Sequence, residues 1–321
     1  PIHFFTIVLN GEPFIHYHIE VLQQLPFKWH WHIIEGVADQ KHDSAWMLSL
    51  GEKITDELHC GGRSKDGTSD YIDEIARLYP KNITVYRKPE GIFWDGKREM
   101  VNAPLENIKE ECLLWQVDAD ELWTAEQICT ARQMFINHPE KTAAFYWCWY
   151  FVGENLVISS RNCYAQNPQQ DWLRTWRFKP GASWASHEPP RLVEALPNSE
   201  CRDVAAVNPF LHEETEKQGL VFQHFAYVTL EQLRFKQIYY GYKNAVVEWM
   251  ALQAQTEFPV RLGNYFSWVQ DETMVNSAES LSIVPIAQRE NEKNTWHFVQ
   301  REKPERQIPS VEKFMPRVIV D

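Results

Sequence analysis

Through the first 125 residues the spacing of apolar positions switches between a period of two and a period near 3.6, which predicts strands alternating with helices. Ile2 to Leu9 is a β-rich apolar run. Asn10-Gly-Glu-Pro13 supplies turn chemistry and a proline suited to a helix's first turn. Phe14, Ile15, Ile19, Leu22 and Leu25 then recur at helical spacing, predicting a helix to about Gln24, and Trp29 to Glu35 returns to an alternating strand pattern. This β-α-β order predicts a parallel sheet. Gly36 to Arg63 is polar and poorly periodic, a long loop with a short helix near Ala45 to Leu50. Asp66-Gly67-Thr68 introduces a helix over Ser69 to Tyr79, whose apolar face is Ile72, Ile75, Ala76 and Tyr79. A short strand at Ile83 to Tyr86, a glycine-bounded loop from Gly91 to Gly96 and a helix from Lys97 to Ile108, interrupted or kinked near Pro104, lead to the apolar run Cys112 to Val117.

Thr124 and Gln127 form a capping box for a helix to about Asn137. Ala143 to Val152 reads as one strand, apolar on both faces, which Gly153-Glu-Asn155 turns towards Leu156 to Ser159. Further strands are predicted at Trp172 to Phe178 and Leu220 to Phe225. Thr229 and Gln232 cap a single long amphipathic helix with its stripe from Leu230 to Leu252, and the proline-broken end from Lys303 is expected to wrap the surface.

Composition narrows the function classes. The 321 residues are 44% hydrophobic and 13% aromatic, enough for one large core or two modest ones. A net charge of −12 argues against a nucleic-acid groove, which needs clustered Lys and Arg. Six cysteines without a C-x-x-C pair speak against zinc and disulfide frameworks. Neither a membrane-spanning stretch nor a secretory leader is read in the sequence, so the expected compartment is the cytoplasm.

The chemistry concentrates where the apolar run Cys112-Leu-Leu-Trp-Gln-Val117 ends in Asp118, Asp120 and Glu121. Burying such charges unpaired is costly, so the carboxylates are expected at the rim of a sheet. There, Asp118 and Asp120 can act as hard oxygen ligands for Mg²⁺ or Mn²⁺, which take further ligands from a substrate's phosphates. A solvated strand end followed by an acidic helical turn is the plainer alternative. Glu35 either accepts a ribose or base hydrogen bond at the edge where ligands bind in open α/β sheets or is a solvated strand-end carboxylate. Asp66 has the competing task of capping its helix, and Lys97 with Arg98 can meet a diphosphate or decorate a helix. His16 and His18 face apart on a helix; His30 and His32 share a strand face but lack a third ligand nearby. Gly61-Gly-Arg-Ser-Lys65 lacks the spacing of a Walker loop. In the second half, Ser186-His187-Glu188-Pro-Pro-Arg191 sets two groups capable of proton transfer beside prolines, either lining a substrate site or making a rigid turn. Fourteen tryptophans offer flat faces suited to sugars, although most are expected in the core.

Four of these stretches, in this order, resemble the family 2-like glycosyltransferases of the GT-A fold. Ile7-Val-Leu-Asn-Gly-Glu12 is similar to that family's opening strand, Asp66-Gly-Thr68 to its D-G-T element, Lys97 with Asn102 to its K-x-x-x-x-N helix, and Asp118-Ala-Asp120 to its metal-binding D-x-D. The resemblance implies an α/β fold with a mostly parallel central sheet flanked by helices and a C-terminal helical extension. The expected division is a catalytic domain over 1–228, its nucleotide-sugar half at about 1–125 and its acceptor half at 126–228, with the extension at 229–321 packed on it. It also implies a donor site including Asn10, Glu12, Glu35, Asp66, Lys97 and Asp118, and a Mn²⁺ or Mg²⁺ site of Asp118, Asp120 and the late histidine His224. Glu188 is the expected catalytic base, with His187 in reserve. The implied activity is transfer of a hexosyl or N-acetylhexosaminyl group from a nucleotide-diphosphate sugar, by resemblance a UDP-sugar, to a hydroxyl acceptor such as a glycan. A nucleotidyltransferase on a similar sheet and a non-catalytic carbohydrate-binding protein are the alternatives. The first should show a glycine- and basic-rich phosphate loop, whereas Asn10-Gly-Glu-Pro13 is acidic.

Overall fold

The computed structural model describes residues 1–39, 54–169, 171–197, 200–290 and 295–299. The short helix expected near Ala45 to Leu50 and the tail from Lys303 lie outside the described residues.

Strands β1 (Ile2–Val8), β2 (Trp29–Glu35), β3 (Ile83–Tyr86) and β4 (Cys112–Gln116) pair in parallel in the order β4-β1-β2-β3. The crossovers that this order requires are the segments read as helical. One is a 3₁₀ turn at Phe14–His16 running into the helix Tyr17–Leu22, and the other two are the helices Thr68–Leu78 and Lys97–Asn102. The last of these stops at Asn102, before Pro104, and a separate 3₁₀ turn follows at Leu105–Asn107. Beyond β4 the sheet continues through β9 (Leu173–Phe178), β6 (Ala143–Phe145) and β13 (Pro209–Phe210); only β9 runs against the other six strands. The result is a largely parallel seven-stranded sheet.

The run Ala143 to Val152 divides between two sheets. It gives β6 to the first, then β7 (Trp147–Gly153) to a six-stranded second sheet, with the fully buried Tyr146 between them. That sheet has the order β15-β16-β8-β7-β14-β5, with β5 at Glu121–Leu122, β8 at Leu156–Ile158, β14 at Val221–His224, β15 at Val260–Arg261 and β16 at Met274–Ser277. The run after Asp118 therefore enters a second sheet at β5 before a helix begins at Ala125, so the plainer alternative of Asp120 and Glu121 in an acidic helical turn does not hold. A third sheet, β10 (Ser183–Ser186), β11 (Arg191–Ala195) and β12 (Cys201–Asp203), was not legible as strands.

The single long helix expected from Thr229 is two, Leu230–Tyr239 and Ala245–Gln253. Between them Gly241 and Asn244 adopt φ of 73° and 60°, a left-handed backbone that cannot continue a helix. The segment after residue 228 also supplies β15, β16 and the hairpin β17 (Ala287–Glu290) and β18 (Thr295–Phe298). Its Leu252, Leu262, Val275 and Ala287 are buried in the same core as Phe4, Trp31 and Trp115 of the first sheet. Aromatic rings fill the seam between the sheets. Trp115 and Trp123 meet edge to face at 5.0 Å, and Trp123 stacks on Phe222 at 4.6 Å, contacts worth about 0.5–1.5 kcal/mol each beyond the area they bury. No described helix is long and apolar enough to cross a membrane.

Candidate active site

A cleft of about 1780 Å³ opens above the C-terminal ends of β1 and β4, bounded on its far side by β14 and the helix Leu230–Tyr239. Local backbone chemistry builds its floor. Gly11 follows β1, and a Cβ there would meet Val8 Cγ2 at 2.8 Å and Ala119 Cβ at 3.3 Å, so a glycine lets the two loops touch. Its amide donates to Thr68 Oγ1 at 2.8 Å. Asp66 accepts from the Glu12 amide and from the Thr68 amide, both at 3.0 Å. Asn10 donates through Nδ2 to the Leu58 carbonyl and accepts at Oδ1 from the Lys65 amide. The Asn10–Glu12 turn and the D-G-T element are thus one hydrogen-bonded unit. Asn10, Glu12 and Asp66 line the cleft.

Asp118 and Asp120 sit on the connection from β4 to β5. Register explains their company: His224 pairs with Glu121 across β14 and β5, which sets its ring against Asp120. His224 Nε2 lies 3.3 Å from Asp120 Oδ1. Burial favours the neutral form of Asp120, yet His224, together with Lys236 and a backbone amide, holds the carboxyl below its ordinary range. Asp118 turns towards Arg174, 3.5 Å away, and also accepts from Gln116 Nε2 at 3.2 Å. Arg174 in turn donates to both oxygens of the fully buried Glu121 at 2.6 to 3.0 Å, and its guanidinium lies 5.0 Å from the centre of the Trp172 ring. Arg174 escaped the sequence reading because its partner is 53 residues away, and the strand carries a second arginine, Arg177, from which nothing local distinguishes it.

The opposite wall brings Lys97 to the acceptor-half cluster. Asn102, at the far end of the same helix, donates to the Trp184 carbonyl at 3.1 Å and accepts from the Trp184 amide at 2.9 Å. That pair docks β10 on the helix and delivers His187 and Glu188 from the end of β10 to the cleft. Lys97 Nζ is 3.4 Å from Glu188 Oε2. The Lys97 ammonium holds the Glu188 carboxyl down to about 2, against the partial loss of water around a side chain that lines the cleft and stays half exposed. Burial, with Lys97 nearby, lowers His187 to about 4, so its imidazole is neutral at pH 7. Both ring nitrogens of His187 are buried without a protein partner among the described residues.

Glu35 departs from its expected place. Its side chain is fully buried and spent on Arg87, at 2.5 Å, the Ser64 amide at 3.1 Å and the Ser69 hydroxyl. It does not line the cleft, so the structure gives it the task of fixing β2 to the helix Thr68–Leu78. The tryptophans also sort by position. Trp115, Trp123 and Trp176 are core, whereas Trp172 and Trp249 face the cleft. His3, His32 and the half-buried His30 cluster on the first sheet, His3 stacked on both of the others and its Nδ1 2.9 Å from His32 Nε2.

Among the described residues no group of three His, Cys, Asp or Glu converges on one point as a metal cage. The Asp120 and His224 donor atoms nonetheless stand at a spacing close to the roughly 3 Å between neighbouring ligands of an octahedral ion with ligand distances near 2.0–2.1 Å. His224 Nδ1 makes no hydrogen bond to the described protein, so the ring can shift its proton to Nδ1 without breaking one there. One or two carboxylates with room for water and phosphate is the habit of Mg²⁺ and Mn²⁺, and this donor set fits it.

No family model matches the chain, and no curated protein matches it. Among solved structures it is similar to S. aureus TarS 1-349, at 12% identity and a TM-score of 0.35 over 55% of this chain and 46% of that one. It is similar to the mannosyltransferase PcManGT from Pyrobaculum calidifontis, in complex with GDP-Man and Mn²⁺, at 18% identity and a TM-score of 0.31 over 46% and 34%. It is also similar to a 4-diphosphocytidyl-2C-methyl-D-erythritol synthase, at 11% identity and a TM-score of 0.29 over 78% and 97%. The chain spans less than half the length of the first two. The strand order described above is an α/β architecture with a mostly parallel central sheet, as the order of the motifs implied.

Proposed function

We propose that the chain is a divalent-metal-dependent glycosyltransferase that moves a sugar from a nucleotide-diphosphate donor to a hydroxyl acceptor. One observation carries the reading. Asp120, leaving a parallel strand, meets His224 from a second sheet at 3.3 Å, in a cleft that also holds Lys97 and Glu188. Asp118, Asp120 and His224 would hold Mn²⁺ or Mg²⁺, and the bound cation would supply positive charge against the donor's diphosphate. The turn of Asn10, Glu12 and Asp66 forms the nucleotide side of the cleft. That turn carries carboxylates and a single glycine, which disfavours the phosphate loop of a nucleotidyltransferase.

In the transfer itself, the bond between the sugar's anomeric carbon and the diphosphate oxygen breaks, with the electron pair leaving on that oxygen. The acceptor oxygen forms the new bond and gives up its proton. Glu188 is the proposed recipient of the proton, with the neutral His187 in reserve. Its side chain is 49% exposed, open to an acceptor arriving from solution, whereas Lys97 is 11% exposed. Donor phosphates compete with Glu188 for the Lys97 ammonium. As the ammonium is drawn to them, the carboxylate regains basicity at the moment the donor is in place. Trp172 and Trp249 offer flat surfaces for sugar rings. A UDP-linked hexose or N-acetylhexosamine is the proposed donor class and a glycan the proposed acceptor.

A thermal-shift screen of UDP- and GDP-sugars with and without Mn²⁺ tests the reading, because a ligand selective for the native state raises its melting temperature. Stabilisation by a nucleotide sugar only with Mn²⁺ supports it. Stabilisation by free glycans with no response to any nucleotide favours the non-catalytic carbohydrate-binding alternative.

A further inference from the structure

Gln232 combines two tasks. As the third residue of its helix it completes the capping box: Thr229 Oγ1 accepts from the Gln232 amide at 3.1 Å, and Gln232 Oε1 accepts from the Thr229 and Val228 amides at 3.0 and 2.9 Å. Those bonds use only the oxygen of the side-chain amide. Its nitrogen points the other way, donating to the Phe225 carbonyl at 2.6 Å and to Asp120 Oδ2 at 3.3 Å. The Phe225 amide in turn donates to the Asp120 carbonyl at 2.9 Å. Asp120 is thereby held on three sides: through its backbone by Phe225, at Oδ1 by His224 and at Oδ2 by Gln232.

We infer that Gln232 is a positioning residue for the candidate metal site, locking the Asp120 carboxylate so that Oδ1 stays beside His224, and that it ties the order of this site to the start of the helix Leu230–Tyr239. The inference rests on the metal-dependent reading above. An amide is well suited to the task. A methionine of similar length keeps the packing but loses both ends, and a glutamate keeps the cap while presenting an acceptor to Asp120 and to the Phe225 carbonyl, neither of which can donate to it. Partners that orient a metal-binding carboxylate typically contribute about 10–100-fold to metal affinity.

The test compares Gln232→Met with Thr229→Ala, which breaks the other half of the capping box and leaves the Gln232 amide in place. Free Mn²⁺ is followed by electron paramagnetic resonance during titration of each full-length protein, and affinity is expressed per folded molecule from the circular dichroism melt. Both variants should melt lower, Gln232→Met by more because it loses both ends of the amide, which is why affinity is compared per folded molecule. Gln232→Met should bind Mn²⁺ at least about tenfold more weakly than wild type, while Thr229→Ala stays within about twofold. If Gln232→Met does not fold, Gln232→Glu preserves the cap and takes its place, with the same weakening expected as its carboxylate turns Asp120 aside. Equal Mn²⁺ affinity in wild type and the Gln232 variant overturns the positioning role and leaves the metal site standing. A wild-type protein that binds no Mn²⁺ overturns both.

Discussion

Lys97 Nζ lies 3.4 Å from Glu188 Oε2, joining the helix that follows β3 to the loop that follows β10, 91 residues away. The contact restrains the carboxylate proposed as the base and keeps it ionised far below neutral pH. Replacing Lys97 with Met removes the main cause of that depression. The acidic limb of the pH profile for kcat/KM should then move to higher pH, since a carboxyl released from a neighbouring cation protonates more readily. Glu188→Gln should lower transfer by roughly 10²–10⁴-fold with little change in donor affinity. Near-normal transfer by Glu188→Gln at saturating donor would place the base elsewhere.

The Arg174–Glu121 pair makes a separate prediction about stability. Glu121 is fully buried with its charge matched by two-point contact with Arg174, which also reaches Asp118. Arg174→Met leaves a buried carboxylate without its cation, and the expected loss is about 3–5 kcal/mol in urea unfolding. The double variant Arg174→Met with Glu121→Leu should recover much of this, because both charges are gone. A single variant as stable as wild type would show that Glu121 is neutral in the fold.

How far the sequence spoke depends on the range of each interaction. β1, β2, the D-G-T turn and the capping boxes at Thr124 and Thr229 were legible because each is specified within a few residues. The break between the last two helices was also written locally, in Gly241 and Asn244, but the apolar stripe running through it masked the signal. The division of Ala143 to Val152 was not legible, since both halves are apolar and only tertiary pairing assigns them to different sheets. The same holds for the partners of Glu35 and Arg174. A strand-end carboxylate facing ligand and one buried against Arg87 have the same local sequence. β10 to β12 were hidden by exposed polar positions on short strands.

Acid sensitivity follows from three buried histidines. Burial lowers His3 to about 4, His18 to about 4 and His32 to about 2. His18 donates from Nε2 to the Ala119 carbonyl at 2.9 Å, so its neutral form supports the loop between the two aspartates. Unfolded, all three would take up protons below about pH 6.5. Their contribution to stability is therefore complete above that pH and declines as pH falls towards the folded values, by on the order of 2 kcal/mol per histidine at pH 5. The melting temperature should drop steadily from pH 7 to pH 5, and His32→Phe should flatten the slope. A melting temperature independent of pH across this range, or an unchanged slope in the variant, would contradict the account.

The most direct measurement is Mn²⁺-dependent hydrolysis of the nucleotide sugar that best stabilises the protein, compared between wild type and Asp120→Asn. The substitution keeps size and leaves the backbone bond between the Phe225 amide and the Asp120 carbonyl, so the variant should remain folded by circular dichroism. The account predicts that wild-type hydrolysis rises with added Mn²⁺ and is abolished by chelation, and that Asp120→Asn shows no Mn²⁺-dependent rate above background. A folded Asp120→Asn protein that hydrolyses the donor as fast as wild type, with the same dependence on Mn²⁺, would contradict it.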